Sequence, residues 1–114
     1  MTMNQITLLA KNESGEPVRV TFTRDEGRVT ITCTCPEGMR GQFCEHKFRL
    51  ASNDIMMLQH PGQNSDMLNA HIWVIESPMS DKILELLNLL GEDKPDENAM
   101  ERLKGEVGAA MRGE

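Results

Sequence analysis

Apolar and polar residues alternate in two segments of the first third of the chain, residues 18–23 and 28–35, which is the pattern of strands with one buried face. A mainly apolar segment before them, residues 6–10, is interpreted as a first strand. Turn-forming residues separate them at 12–15 and 25–27, and the second connection is short enough for a hairpin. We therefore predict a three-stranded antiparallel meander with one face in water.

Each strand of this meander would point its apolar residues to one side, because successive strand side chains alternate between faces. The predicted inner face consists of Ile6, Leu8, Val18, Val20, Phe22, Val29, Ile31, Cys33 and Cys35. The predicted outer face consists of Arg19, Thr21, Thr23, Arg28, Thr30, Thr32 and Thr34. We interpret the outer face as ordinary exposed strand, where β-branched Thr is frequent. The alternative is a surface that contacts phosphates or an acidic partner.

The rest of the chain is predicted to be mainly helical. A first helix should run from Cys44 to about Ser52, and a break follows at residues 60–64, where Pro and Gly occur together. The segment 67–75 fits a helix, although residues 72–75 also fit a buried strand; we favour the helix. The residues of its apolar face would be Met67, Leu68, His71, Ile72 and Ile75.

Two further helices are predicted to form an antiparallel hairpin at the C-terminal end. The first would begin with Ser77 as its cap and Pro78 in its first turn, and would end at Gly91. The second would begin near Pro95. Its apolar stripe would consist of Met100, Leu103, Val107 and Met111.

The run from Ile83 to Leu90 is apolar at six of its eight positions, so apolar residues cover more than one face of this helix. We favour burial of this run within the chain. The alternative is an interface, either in a homodimer formed through the C-terminal helices or with a helix of another protein.

All three cysteines and one of the three histidines lie close together in the sequence. The tripeptide Cys33-Thr34-Cys35 is followed after eight residues by Cys44-Glu45-His46. Three thiolates and an imidazole complete the tetrahedral shell of one zinc ion. Because the protein would fill all four positions, the predicted zinc is structural and keeps no bound water for catalysis.

Other roles for these cysteines fit the sequence less well. Three cysteines within twelve residues, beside a histidine at mirrored spacing, are more than small buried apolar residues. An odd number of thiols would leave one unpaired if a disulfide formed. Neither a Cys-x-x-Cys motif nor a nucleophile with a base is present, so we expect no redox site and no enzyme.

The pattern resembles the SWIM zinc finger, a family defined by Cys-x-Cys, a variable gap, and Cys-x-His. The residues that carry the resemblance are Cys33, Cys35, Cys44 and His46, and it covers roughly residues 28–52. The resemblance implies a strand–strand–helix zinc module, and domains of the family bind DNA or other proteins. In one departure, Lys47 and Arg49 alternate with Phe48 and Leu50 where the family tends to have apolar residues.

These elements together predict an α+β fold. A small antiparallel β-meander with a zinc-bound strand–strand–helix finger would occupy residues 1–52. An acidic helical part, residues 53–114, would be packed on it or appended to it. A chain of 114 residues is one small domain, or a small domain with an appendage.

The net charge of −6 is unevenly distributed. Residues 1–51 carry seven Lys or Arg and six acids, a net charge of +1, whereas residues 52–114 carry five and twelve, a net charge of −7. A protein that binds nucleic acid alone normally has a strongly basic face. The candidate contacts to nucleic acid or to a partner are the basic residues near the finger, Arg40, Lys47 and Arg49.

We therefore predict a non-enzymatic zinc-binding adaptor that acts by protein–protein contact, with a role as an accessory of DNA-handling machinery as one form of it. The alternative is a zinc-finger protein that binds nucleic acid directly. Thiolate ligands need a reducing compartment, so we expect a cytoplasmic location. No apolar run is long enough to span a membrane, and we expect no membrane partner.

Overall fold

The three predicted strands form one antiparallel sheet. The computed structural model of the protein describes residues 3–114. The strands are β1, Met3–Ala10; β2, Val18–Asp25; and β3, Arg28–Cys33. Their order in the sheet is β1-β2-β3, which confirms the meander. Phe22 lies opposite Ile6 on one side and Ile31 on the other, so apolar residues line up across all three strands.

A two-residue turn joins β2 to β3. Glu26 and Gly27 have φ values of 52° and 82°, and a type I′ hairpin turn requires positive φ at both positions. Glycine adopts this conformation without steric cost, whereas glutamate does not. The turn places Asp25 opposite Arg28 and so sets the register that aligns the apolar residues of the two strands.

The sheet has one buried and one exposed face, as the alternation predicts. Leu8, Val20 and Phe22 are fully buried on the inner face. On the outer face Arg19 is exposed, and the hydroxyl groups of Thr7 and Thr21 share a hydrogen bond of 3.2 Å across the strands. The predicted outer face is therefore the exposed side of the sheet, as both interpretations of it require.

Five helices follow the sheet and make the fold α+β. They are α1, Pro36–Met39; α2, Glu45–Ala51; α3, Asn64–Ile75; α4, Met79–Leu90; and α5, Glu97–Met111. Two 3-10 helices, Ile55–Met57 and Pro61–Gln63, lie between α2 and α3. Within residues 3–114, no helix has the length and apolar character that crossing a membrane requires.

The ambiguous segment 67–75 is helical, as we favoured, but its buried face differs from the predicted one. The side chains of α3 that are buried are Met67, Ala70 and Val74. The predicted face was to contain Leu68, Ile72 and Ile75, and these three are 41–54% exposed. Apolar residues occupy both flanks of α3, so periodicity alone could not choose between them. A 2.7 Å hydrogen bond between His71 Nδ1 and the Ala51 carbonyl is one contact that fixes the rotation of α3.

The start of α4 also differs from expectation, whereas α5 begins near Pro95 as predicted. Ser77 does not cap α4; its hydroxyl donates to the Val74 carbonyl at the end of α3, 2.7 Å away. The helix α4 begins at Met79, and the predicted end at Gly91 is correct. At the start of α5 the Asp96 carboxylate accepts a hydrogen bond from the Asn98 backbone amide and so caps the helix.

A single apolar core joins the sheet to the helices. It includes residues from β1 to α5, from Leu8 to Met111. The helix α5 buries three of the four predicted stripe residues, Leu103, Val107 and Met111, while Met100 is partly buried. An ion pair of 3.4 Å between Lys82 and Glu106 links α4 to α5. The predicted C-terminal helices therefore pack against each other and against the sheet.

The two glycines inside α5 have different surroundings, and they provide a matched test of this packing. A Cβ at Gly108 would lie 3.0 Å from the Phe43 backbone nitrogen, whereas a Cβ at Gly105 would meet nothing within 4 Å. Gly108→Val is therefore expected to be less stable than Gly105→Val by about 1–3 kcal/mol, since both variants share the change in helix propensity. Urea denaturation measures the difference. Equal free energies of unfolding would contradict the close approach of α5 to Phe43.

Candidate metal centre

The first two cysteines lie at the end of β3. Cys33 is the last residue of the strand, and Cys35 follows it by two positions. Because side chains two residues apart on extended backbone point to the same side, both cysteines face the core and are less than 5% exposed. Pro36 then begins α1, since it fits the first turn of a helix and cannot continue the strand ladder.

A tight loop follows Cys35 and directs its sulfur. Cys35 is the cap of α1, and its Sγ accepts a hydrogen bond of 3.3 Å from the Gly38 amide. Gly38 lies so close to the strand that a Cβ there would be 2.6 Å from the Cys33 Cβ and from the Cys33 carbonyl oxygen. The loop can fold over Cys33 only because residue 38 has no side chain. Gly41, with φ 72°, then turns the chain back.

The second pair of candidate ligands lies at the start of α2, in an arrangement that repeats the first. Cys44 is the cap of α2, and its Sγ accepts a hydrogen bond of 3.4 Å from the Lys47 amide. In both loops a cysteine sulfur therefore accepts a hydrogen bond from the backbone amide of the residue three positions later. Such N–H···S bonds hold a thiolate in place and favour its charged form. His46 stands in the first turn of α2, between Cys44 and this amide.

The four predicted ligands come together in space. One donor atom from each of Cys33, Cys35, Cys44 and His46 can be chosen so that all four lie within 4.8 Å of one another. Cys33 Sγ and His46 Nδ1 are 3.8 Å apart. Metal–ligand bonds of about 2.3 Å to sulfur and about 2.0 Å to nitrogen would place tetrahedral donors about 3.6–3.8 Å apart. The residues fit a tetrahedral ion after a small contraction and could hold one metal ion.

The three thiols influence each other's ionisation. A hydrogen bond from the Cys33 thiol lowers the pKa of Cys44 to about 5. The same hydrogen bond, followed by burial, raises the pKa of Cys33, and burial raises the pKa of Cys35. Hydrogen bonding and burial therefore favour the thiolate at Cys44 and oppose it at Cys33 and Cys35. A metal ion bound there would displace thiol protons, so that binding would be coupled to proton release.

The three basic residues proposed as contacts do not form one exposed cluster. Lys47 is only 1% exposed, because it shares the inward face of α2 with Phe48 and Leu50. Its long apolar stem contributes to the core, and the side chain is not available as a surface contact. This burial was not foreseen from the alternation of Lys47 and Arg49 with apolar residues.

Arg49 and Arg40 are exposed, but both have partners within the chain. Arg49 donates hydrogen bonds of 3.1 Å to Glu45 and of 3.1 Å to Asp54. Both hydrogen bonds raise the pKa of Arg49, and the one to Glu45 has the larger effect. The Arg40 guanidinium donates to the Pro36 carbonyl, 3.5 Å away. Arg49 is therefore neutralised locally, and Arg40 remains as the exposed one of the three with no carboxylate partner among the described residues.

A cavity of about 570 Å³ opens beside the candidate metal centre. Its wall includes Cys44, His46 and Phe43. The charged residues that line it are Lys11, Arg49, Lys104, Glu13, Glu37 and Glu45. Cations and carboxylates are equal in number, so the cavity lacks the positive field that attracts a polyanion.

The C-terminal helix braces the loop between the two cysteine pairs. Arg112 donates a hydrogen bond to the Gly41 carbonyl, and its aliphatic stem lies against Gly41. Phe43 packs on Phe48 with ring centres 5.5 Å apart, and the Lys104 ammonium lies 5.7 Å from the centre of the Phe43 ring. The sequence signal for the four ligands was their spacing; these bracing residues have no comparable signal.

Comparisons with known proteins place no further constraint on the site: no protein-family model matches the chain, and neither a curated protein nor a solved structure does. The assignment of the centre therefore depends on its own geometry and on the chemistry of its donors.

The Gly38 contact can be tested with a matched glycine. Gly38→Ala would place a methyl group against the Cys33 carbonyl and is expected to open the loop and weaken zinc binding by about tenfold or more. Gly62→Ala is the control, since a Cβ at Gly62 meets nothing within 4 Å. Competition with a chromogenic zinc chelator measures both affinities. If Gly38→Ala binds zinc as tightly as Gly62→Ala, the loop does not depend on this contact.

Removal of a ligand tests the centre itself. With zinc as the probe, Cys44→Ser and His46→Asn are expected to lose tight binding of one equivalent. His60→Asn, a change at an exposed histidine outside the cluster, should retain it.

Zinc binding contributes about 10–16 kcal/mol in zinc-finger peptides, against about 5–15 kcal/mol for the net stability of a domain. Chelation should therefore unfold at least the first half of the chain. Unchanged circular dichroism after chelation, or one tightly bound equivalent in Cys44→Ser, would contradict a structural metal centre.

Proposed function

We propose that the centre binds one structural zinc ion and that the protein is a small non-enzymatic module that acts through contact with another protein. The observation that carries this proposal is the closed donor set. Four side chains of this chain supply four donors within 4.8 Å of one another, and three of them are buried. A tetrahedral ion held there has no position left for substrate or for a reactive water.

The donor types favour zinc over other ions. Thiolates are soft ligands that hard cations such as Mg²⁺ and Ca²⁺ avoid, and a tetrahedral Cys₃His set is a common structural zinc site. Thiolates also need a reducing environment, which supports the cytoplasm as the compartment. The strand, loop and helix that carry the four candidate ligands support the resemblance to a SWIM-type finger.

Exposed apolar side chains support protein contact as the mode of action. Three residues of α3 and three of α4 are large, apolar and 39–56% exposed: Leu68, Ile72, Ile75, Leu84, Leu87 and Leu90. Apolar residues that recur on one exposed side of a helix are typical of interaction surfaces. The acidic charge of this half of the chain favours a protein partner over nucleic acid, which it would repel. An accessory role in DNA-handling machinery is proposed on the resemblance to the SWIM family.

Direct nucleic-acid binding is the competing function, and a titration separates the two. Zinc-loaded protein is mixed with labelled single- and double-stranded DNA and RNA at low and at physiological salt. We expect no saturable binding at physiological salt, since Lys47 is buried and Arg49 is paired. Salt-sensitive binding that weakens in Arg40→Glu or Arg49→Glu, but not in the control Lys94→Glu, would overturn the proposal.

The same preparation provides the positive arm of this test. Immobilised zinc-loaded protein should retain a defined protein partner, and chelation of the zinc should release it, because the fold that presents the surface depends on the metal. Retention that is indifferent to zinc would contradict a zinc-stabilised interaction module.

A further inference from the structure

The helix α4 has two apolar sides, and only one of them is used by the core. Met79, Ile83 and Leu86 point inward and are buried. On the other side Leu84 is 56% exposed, Leu87 is 39% exposed and Leu90 is 44% exposed. We refer to these three residues as the leucine stripe. They recur every third residue, so they follow one flank of the helix along its last two turns.

A carboxylate borders the start of the leucine stripe. Asp81 and Glu85 are exposed and one helical turn apart, and Asp81 lies three residues before Leu84, which makes these two neighbours on the helix surface. The wider surroundings have the same sign. From residue 64 to residue 93 the exposed charged residues are all acidic: Asp66, Glu76, Asp81, Glu85, Glu92 and Asp93. The single cation of this segment, Lys82, already pairs with Glu106.

The charge decides which kind of partner can cover the stripe. A second copy of this chain would bring like charges together around its own stripe, and an anionic membrane would be repelled in the same way. A segment with apolar residues on one side and Lys or Arg beside them would bury the leucines and pair with the carboxylates. An amphipathic helix supplies both features in one element.

We infer that the leucine stripe of α4 is a docking site for a basic amphipathic helix of another protein. This inference rests on the proposed function, which assigns the protein a partner, and it adds the surface and the chemistry of that partner. The partner helix contributes apolar residues at intervals of three and four positions, with Lys or Arg on the flank that meets Asp81 and Glu85.

The test uses the zinc-loaded chain of 114 residues and a synthetic amphipathic helix of Leu and Lys as the probe. A peptide with the same pattern of Leu but with Glu in place of Lys is the control for charge. Fluorescence anisotropy should show binding of the Leu/Lys peptide and none of the Leu/Glu peptide. The double variant Leu84→Ser/Leu87→Ser should bind about tenfold more weakly or worse. The matched variant Ile55→Ser/Met56→Ser, which alters exposed apolar residues outside α4, should bind like the unchanged protein.

A second variant keeps the test informative if the serine substitutions disturb folding. Asp81→Lys/Glu85→Lys leaves the leucines in place and should weaken binding of the Leu/Lys peptide more at low salt than at high salt. The inference is overturned if Leu84→Ser/Leu87→Ser or Asp81→Lys/Glu85→Lys binds the Leu/Lys peptide as tightly as the unchanged protein does. It is equally overturned if the Leu/Lys and Leu/Glu peptides bind with the same affinity. It is also overturned if the protein is a dimer in sedimentation and Leu84→Ser/Leu87→Ser makes it a monomer, since a second copy then covers the stripe.

Failure of this inference can be told apart from failure of the proposed function. Loss of peptide binding alone rejects the leucine stripe as the contact surface and leaves a zinc-dependent protein partner to be bound elsewhere. Salt-sensitive binding of nucleic acid by Arg40 or Arg49 rejects the proposed function itself, whatever the peptides do.

Discussion

Three thiols and one imidazole meet at the point where the sheet ends and the first helices begin. Cys33 and Cys35 arrive on extended backbone, and Cys44 and His46 arrive at the first turn of α2. Each sulfur at a helix start accepts an amide hydrogen bond, from Gly38 or from Lys47. The site therefore joins strand and helix through side chains that would repel one another as thiolates, and a cation between them turns this repulsion into attraction.

The remainder of the structure holds this junction in place from the opposite side. The helix α5 reaches the loop between the cysteine pairs through Gly108 and Arg112, and it packs on β3 through the shared core. The C-terminal half thus contacts the loop of the candidate metal centre although it supplies none of the four candidate ligands. The same half leaves the flank of α4 in solvent, with leucines beside carboxylates. One helix pair thus packs against the candidate metal centre on its inner side and leaves on its outer side the leucines that we propose as a docking site.

Much of the fold could be predicted because local patterns were unambiguous. Alternation in β2 and β3, the turn at Glu26-Gly27 and the spacing of the four ligands all act over a few residues, and each agrees with the structure. The prediction for α3 was right about the helix and incomplete about its face, since apolar residues lie on more than one flank. Lys47 shows a similar limit: its charge suggested exposure, but its position on α2 places its stem in the core.

The sequence by itself determined the α+β class, the meander and the identity of the four candidate ligands, because strand periodicity and ligand spacing are properties of neighbouring residues. Only the tertiary structure decided that Gly38 must lack a side chain, that Gly108 and Arg112 brace the loop, and that Leu84 and Leu87 stay in solvent. These contacts join residues distant in the chain, and which flank of a helix is buried depends on the shape of everything packed against it.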